Sequence, residues 1–434
     1  MRDTICALAT PPGQSALAII RMSGPEALNI NARLFKPKSA PQKHFVATRG
    51  DVADLDDGIC ITFPEGKSFT GEPCVEYTLH GSPVVIQQVL EQLRRLGVRT
   101  ANPGEFSLRA FLSGKIDLCE AEAIADLIHA RSEQAAKAAL KNLKGALAEY
   151  LEPTRITLVD ALCEIEARLD FPDEDLGSAQ RDRLEQALTG AIETLAKLLS
   201  SAKIGRRLMD GARIVLVGLP NAGKSTLLNA LLGEDKALVH DMPGTTRDVI
   251  EAAWVLGGIP VTLVDVAGIR EAADLDPVER LGIEKAKREL ERADLILWLE
   301  EPGQEADIIP AGIATPILKV STKADQVTAS VSTLSISAKT GDGLSELKTR
   351  LAELLVGSGT DLNETMLTKI RQKDEVQKAK EFLMEALYAL NRAEPDEIVA
   401  FELRGAGQAL DRLLGKSLNE DVLDLIFSRF CIGK

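Results

Sequence analysis

The stretch Gly218-Leu219-Pro220-Asn221-Ala222-Gly223-Lys224-Ser225 follows the apolar run Ile214-Val215-Leu216-Val217 and leads into Thr226-Leu227-Leu228-Asn229-Ala230-Leu231-Leu232. That order reads as strand, glycine loop, helix. Such a loop turns successive backbone N–H groups toward the phosphates of a nucleotide at the positive end of a helix. Lys224 then bridges the terminal phosphates and Ser225 offers its hydroxyl to Mg²⁺, with Asn221, Ala222, Gly223 and Thr226 completing the cradle. The chain is expected to bind a nucleoside triphosphate.

Further along, Asp265-Val266-Ala267-Gly268 closes a second apolar run, Pro260 to Val264. A carboxylate there holds Mg²⁺ through water, and the glycine N–H senses the γ-phosphate. Lys323-Ala324-Asp325 follows the run Ile317 to Val320. An Asp at that point accepts both N1–H and the exocyclic amine of guanine, a donor pair adenine lacks. Ser337-Ala338-Lys339 follows Leu334-Ser335-Ile336 and is expected to give a backbone N–H to guanine O6. The order and spacing of these motifs resemble the series in the translation-factor-related GTPases. Two residues depart from it. Thr322 stands where the base-reading motif usually has Asn, which removes an amide that bridges guanine N7 and the phosphate loop. Such a bond contributes about 1 kcal/mol, so weaker nucleotide affinity with retained guanine choice is expected. Ile269 stands where Ras-like enzymes carry a water-positioning Gln, so hydrolysis must recruit another group.

Gly244-Thr245-Thr246-Arg247-Asp248 lies between the phosphate loop and Asp265, where a Thr binds Mg²⁺ in the triphosphate state and is released after hydrolysis. With Asn221, Glu279-Arg280-Leu281-Gly282-Ile283 and the terminal Phe430-Cys431-Ile432-Gly433-Lys434, this region resembles the MnmE (TrmE) family of bacterial tRNA-modification GTPases. Thr10-Pro11-Pro12-Gly13, Arg21-Met22-Ser23-Gly24, Phe69-Thr70-Gly71-Glu72 and Pro103-Gly104-Glu105-Phe106-Ser107-Leu108-Arg109-Ala110-Phe111-Leu112 extend the resemblance over essentially the whole chain.

The resemblance implies a homodimer that works with the flavoprotein MnmG (GidA), as a heterotetramer or larger. The pair installs an aminomethyl or carboxymethylaminomethyl group at C5 of the wobble uridine of certain tRNAs. It implies GTP/GDP and Mg²⁺ (Ser225, Thr246) as cofactors. It also implies K⁺ beside the phosphates, held by Asn221 and by carbonyls through His240, Met242 and Thr245, in a loop that includes Asp241 and Pro243. Glu279 replaces the missing Gln by orienting water, Lys224 and Cys431 join it as catalytic residues, and a 5-formyltetrahydrofolate-type folate meets Arg21, Glu76, Lys115 and Lys434. The chemistry agrees: a glutamate tail wants cations, and a pterin edge wants a carboxylate. A regulatory or ribosome-assembly GTPase of Era or Der type is the alternative, for which basic flanks are the missing sign. A folate-binding structural protein with a vestigial G domain is opposed by the intact Lys224, Ser225, Thr246 and Asp265.

A chain of 434 residues exceeds one compact core. A formal net charge of −14 opposes binding of a polyanion except through local clusters. Lys203 with Arg206 and Arg207, or Lys137, Lys141 and Lys144, are the candidates. Aromatics at 4% argue against stacking platforms for single strands. Six cysteines lack Cys-x-x-Cys spacing, so no zinc site or disulfide framework is expected, and a reducing cytoplasm fits. Cys6, Cys60, Cys74, Cys119 and Cys163 read as buried, apart from Cys431. No leader or membrane span is visible, which predicts a soluble chain.

The predicted organisation is multidomain. An α+β N-terminal domain (1–117) binds folate and dimerises. An α-helical bundle comes in two halves (118–208 and 358–434), and an α/β P-loop, Ras-like G domain (209–357) is inserted between them. Short β-type runs at 16–20, 59–63 and 75–79 and a helix from Pro83 to Leu96 mark the first domain. Leu158, Leu162, Ile165 and Leu169, and later Val376, Ala379, Phe382, Leu383 and Leu387, carry helical spacing. Turns are expected at Phe171 to Asp175 and at Gly257-Gly258, a linker at Gly357-Ser358-Gly359, and a break at Arg404 to Gly407.

Overall fold

Alternation along Ser15–Ser23 sends Ala18, Ile20 and Met22 to one side and Arg21 to the other, the period-two pattern of a strand with two different faces. The structure, a computed structural model, describes residues 3–38, 41–170, 178–219, 221–234, 249–266, 287–301, 315–326, 334–357, 361–417 and 420–433. The chain divides into two compact units, one of 1–125, 143–148 and 407–434, the other of 126–142 and 149–406.

The first unit is built on seven strands: β1 (Ile5–Leu8), β2 (Ser15–Ser23), β3 (Phe35–Pro37), β4 (Thr48–Val52), β5 (Asp56–Phe63), β6 (Cys74–Gly81) and β7 (Arg99–Thr100), in the order β3-β4-β5-β6-β2-β1-β7. Every pairing is antiparallel except that of β1 with β7. Helices α1 (Ala27–Leu34) and α2 (Pro83–Arg95) put Ile30, Leu34, Ile86, Val89 and Leu93 onto the Ile20, Met22 and Tyr77 side. Phe106 of α3 (Glu105–Leu112) packs with Ile5 and Ala7 of β1. The helix α4 (Leu118–His129) begins in this unit. Its Leu118 and Ala121 form a small core with Phe427 of α14 (Glu420–Phe427) and with Phe430.

The second unit contains a six-stranded sheet of order β13-β12-β11-β8-β10-β9. Its strands are β8 (Ala212–Gly218), β9 (Val249–Leu256), β10 (Ile259–Val266), β11 (Leu295–Glu300), β12 (Ile317–Ser321) and β13 (Leu334–Ser335). Only β9 runs antiparallel to its neighbour, across the expected Gly257-Gly258 turn, where both glycines have positive φ. One face of the sheet is covered by α9 (Lys224–Glu234) and α11 (Leu344–Val356) together with Ala135 and Ala139 of α5 (Glu133–Leu143) and Leu208 of α8 (Ala202–Asp210). The other face carries Leu290 from α10, the helix at 287–292. Among the described residues the remaining helices are α6 (Ala146–Asp170), α7 (Ser178–Ser200), α12 (Ile370–Asn391) and α13 (Asp396–Leu413); α7 packs on α12, whose expected stripe residues Val376, Ala379 and Leu383 are buried. The fold class is the one expected: a mixed sheet-and-helix N-terminal part, helices, and a P-loop α/β part.

Four expectations change. Residues 404–407 are interior to α13 rather than a break. A Cβ on Gly405 would lie 2.6 Å from the Phe382 ring, so this glycine permits close helix packing. Cys163 is exposed, although the other four cysteines read as buried are so. Arg207 is only 3% exposed and bonds Asp294, so it belongs to the interior and not to a basic surface cluster. The Pro83 helix ends one residue sooner, with Leu96 as its cap. The expected turn at Phe171 to Asp175 lies outside the described residues, as does the 357–359 linker beyond Gly357.

Candidate functional site

The phosphate loop leaves β8 at Gly218, where a Cβ would lie 2.7 Å from the Leu299 carbonyl oxygen of the neighbouring strand. Asn221 and Gly223 both take left-handed φ, 69° and 86°, which Asn and Gly tolerate best and which fold the loop back on itself. Ala222 N donates to Leu219 O at 3.1 Å, and Leu227 N to Gly223 O at 2.8 Å as the first bond of α9. The Lys224 ammonium donates to Gly218 O at 2.9 Å and Leu219 O at 3.1 Å, across the mouth of the loop. Burial pulls its pKa down, opposed by the nearby Asp265 carboxylate.

Parallel pairing of β10 with β8 sets Asp265 opposite Leu216, near the start of α9. The Ser225 hydroxyl donates to Asp265 Oδ2 at 2.8 Å. Two residues 40 positions apart thereby present a hydroxyl and a carboxylate together, a hard-oxygen pair of the kind Mg²⁺ takes with water and phosphate oxygens. The backbone of Val266 ends β10. Glu279, His240, Asp241, Met242, Pro243, Gly244, Thr245, Thr246, Ala267 and Gly268 lie outside the described residues.

Strands β11, β12 and β13 carry the residues expected to read the base to the same end of the sheet. Thr322 is buried, and both its N–H and its hydroxyl donate to Glu300 O, at 2.9 and 3.2 Å. Its side chain is thus held by β11. Lys323, at φ 58°, pairs with Glu301. The Asp325 carboxylate accepts from the fully buried Ser337 hydroxyl at 2.7 Å, which ties the Lys323–Asp325 and Ser337–Lys339 turns together. Ser337 N donates to Asp342 O at 2.9 Å, so that amide is already engaged within the turn that holds Ala338 and Lys339.

In the first unit, β-register places Arg21 directly opposite Glu76, and the guanidinium donates to Glu76 Oε1 at 2.8 Å. The Arg21 guanidinium carbon lies 5.7 Å from the Phe106 ring centre and 5.9 Å from that of Phe69, and its Nη1 donates to Gly433 O at 3.2 Å. Gly104 N donates to Cys431 O at 3.3 Å, and Gly433 packs so closely on Leu8 and Ala9 that a Cβ would clash. The C-terminal segment therefore lies against the end of β1, within reach of the Arg21 side chain of neighbouring β2. Cys431 is exposed there. Lys115 donates to Gly66 O at 2.8 Å and its chain borders Gly71, behind the loop that carries Phe69. Lys434 lies outside the described residues.

Phe69 and Phe106 belong to sequence motifs in which nothing local marks a role for them. Their placement on Arg21 supplies one, since aromatic faces attract a guanidinium and offer a flat ring a stacking surface. The buried Arg109 was likewise without a role. It donates to Asp3, Glu72 and Glu105 and fastens the motif loops to one another. Asp3, bonded first by Arg99 and also by Arg109, is held down at about 2. The only early sign was the density of charge in otherwise apolar motifs.

A family model described as the MnmE helical domain matches residues 118–431, and one described as the GTP-binding protein TrmE N-terminus matches residues 4–115. The tRNA modification GTPase MnmE of Thermus thermophilus is 41% identical over 443 residues, which cover 100% of this chain and 99% of that protein. The chain belongs to the MnmE family. The MnmE of Aquifex aeolicus is 39% identical over 461 residues and the full length of both. Membership makes the chain a GTP hydrolase. Among solved structures, Aquifex aeolicus Era bound to GDP.AlF4- is 24% identical and covers 40% of this chain and 66% of that one, with a TM-score of 0.28. Among the described residues no helix is long and apolar enough to cross a membrane.

Proposed function

We propose that the chain is a cytoplasmic, K⁺-stimulated GTPase that modifies C5 of the tRNA wobble uridine together with a flavoprotein of the MnmG type. The product is an aminomethyl or carboxymethylaminomethyl group. The observation that carries this reading is the Arg21 site, where a paired Glu76, two aromatic faces and the returning Cys431 to Gly433 segment converge. A bound formyl- or methylene-tetrahydrofolate would supply a one-carbon unit there. Glu76 suits its amine-bearing edge, Phe69 and Phe106 its flat ring, and Arg21, Lys115 and Lys434 its acidic tail. Exposed Cys431 stands beside that site as the candidate reactive side chain. Homodimerisation is assigned to the N-terminal domain. The proposed divisions are 1–117, 118–208, 209–357 and 358–434, the outer helical segments forming one domain around the G domain.

At the nucleotide end, Lys224 binds the terminal phosphates, Ser225 and Thr246 hold Mg²⁺, and Asn221 with the His240, Met242 and Thr245 carbonyls holds K⁺. A cation so placed offsets charge developing on the transferring phosphoryl group. Glu279 orients the attacking water. Asp325 reads guanine, and since Ser337 N is engaged, the contact to guanine O6 falls to Ala338 or Lys339.

The reading is tested by mass spectrometry of wobble uridines in a deletion strain carrying the wild-type chain, Cys431→Ser or Glu279→Ala. Only the wild type should restore the modified base. Hydrolysis in matched KCl and NaCl tests the cation, and equal rates would remove it. Folate titration of wild type and Arg21→Ala tests the N-terminal site. Loss of a charge-assisted contact costs about 1.5–3 kcal/mol, and identical saturable binding would refute the assignment.

A further inference from the structure

The backbone passes from the helices into the P-loop sheet through Gly211 and leaves it through Gly357, at φ 89° and 91°, each directly after a helix end. Arg207, in the last turn of α8, spans both passages. Its Nη1 donates to Leu355 O in the last turn of α11 at 2.7 Å, and its Nε donates to Asp294 Oδ1 at 3.1 Å. Asp294 joins α10 to β11. Its other carboxylate oxygen accepts from Arg213 N at 3.1 Å, and its own N–H donates to Arg213 O at 2.8 Å at the start of β8. Arg207, on the inbound helix, thus bonds the outbound helix directly and, through Asp294, the base of the two central strands. The phosphate loop lies at the other end of those same parallel strands.

The surroundings make this a junction rather than a packing detail. Arginines hold both α10 and the turn that follows it: Glu289 accepts from Arg213 Nε at 2.7 Å while Arg213 also pairs with Glu251 of β9, and Asp294 is held by Arg207. In sequence, α10 follows the segment that begins at Asp265 and contains Glu279. Beyond Gly357, residues 363–369 are fastened to the helices. Lys141 donates to Asn363 O at 2.8 Å, Leu367 N to the Ser201 hydroxyl at 3.2 Å, and Thr368 to Asp126 at 3.0 Å. Gly205 lies so close to Leu367 O that a Cβ would clash. Among the described residues, Asp294 and Arg207 give displacement of α10 a buried, directional route to both passages. A guanidinium fork keeps both bonds only if Asp294 and Leu355 move together.

We propose that Arg207 is a positioning residue that couples the nucleotide state of the GTPase to the helical segments, by making α10 and the two glycine passages move as one body. It touches neither nucleotide nor metal. A demonstrated element that responds to both ends is the physical warrant for such coupling, so the test reads the response at each end.

The experiment is hydrogen–deuterium exchange of the full chain with GDP and with a non-hydrolysable GTP analogue, for wild type, Arg207→Lys and Asp294→Asn. In the wild type, the nucleotide-dependent change in protection should appear in 287–301 and extend to 201–211 and 351–369. In both variants it should persist in 287–301 but fall by about fivefold or more in the two distal segments, with GDP affinity and basal turnover within about twofold of wild type. Half-exposed Arg206, 3.5 Å from Asp294, serves as a control, and Arg206→Ala should behave as wild type. Asp294→Asn keeps shape and volume, so it carries the test should Arg207→Lys fold poorly. Undiminished propagation in a folded variant, or none in the wild type, would overturn the proposal. Loss of nucleotide binding in the variants would make Arg207 a structural residue and overturn it equally.

Discussion

At the scale of single residues, Thr322 shows how a departure from a motif acquires a structural meaning. The sequence marks only the loss of an amide. The structure adds that the Thr322 hydroxyl bonds Glu300 O, on the strand beside the one that ends in the phosphate loop. Thr322→Asn exchanges that bond for one toward guanine N7 and the loop, so the gain is smaller than a full hydrogen bond. GDP dissociation should slow by less than about fivefold, the equivalent of ~1 kcal/mol, while selectivity over adenine nucleotides stays with Asp325. Stopped-flow displacement of a fluorescent GDP checks this, and faster dissociation would mean that the Glu300 bond matters more than the missing amide. Arg207 shows the converse. Its charge reads as surface in the sequence, yet its partners come from residues 87 and 148 positions away, and nothing local announces them.

At the scale of elements, the stripes of α12 and the strand alternation of β2 were legible because burial repeats with the period of the backbone. The α13 glycines carry no such periodic signal. Local propensity says that glycine weakens a helix by about 1 kcal/mol relative to alanine, so a pair of glycines reads as a break. Packing decides otherwise, because Gly405 lets α13 approach the Phe382 ring of α12. Gly405→Ala should therefore destabilise the protein although alanine is the better helix former. Overpacking costs roughly 1–3 kcal/mol, which exceeds the propensity gain. Thermal melting should show a lower Tm for Gly405→Ala and recovery in the double variant with Phe382→Leu. A higher Tm in the single variant would place propensity above packing here.

At the scale of the whole molecule, the C-terminal segment belongs to the first unit, with Phe427 wholly buried and Phe430 beside it. Phe427→Ala should cost about 3–5 kcal/mol, confined to that unit. Both tryptophans, Trp254 and Trp298, lie in the strands of the second unit, so their fluorescence reports that unit alone. The tryptophan unfolding transition should rise with GDP and be unchanged by Phe427→Ala, while the transition followed by far-UV circular dichroism falls; a parallel fall in both signals would mean that the two units unfold together. The sequence by itself determined the strand–loop–helix around Gly218 to Ser225, the helical stripes and the family. Each of these is written in contiguous residues whose spacing matches a backbone period or a turn. The sequence expected Ser225 and Asp265 at one Mg²⁺ and Arg21 and Glu76 at one folate; only the tertiary structure decided that Ser225 bonds Asp265 directly, that Arg21 pairs with Glu76 between Phe69 and Phe106, and that Arg207 joins α11 to Asp294. Those pairings depend on strand register and on chain segments up to 148 residues apart, and a linear pattern has no signal for which distant partner will bring a buried charge its counter-charge.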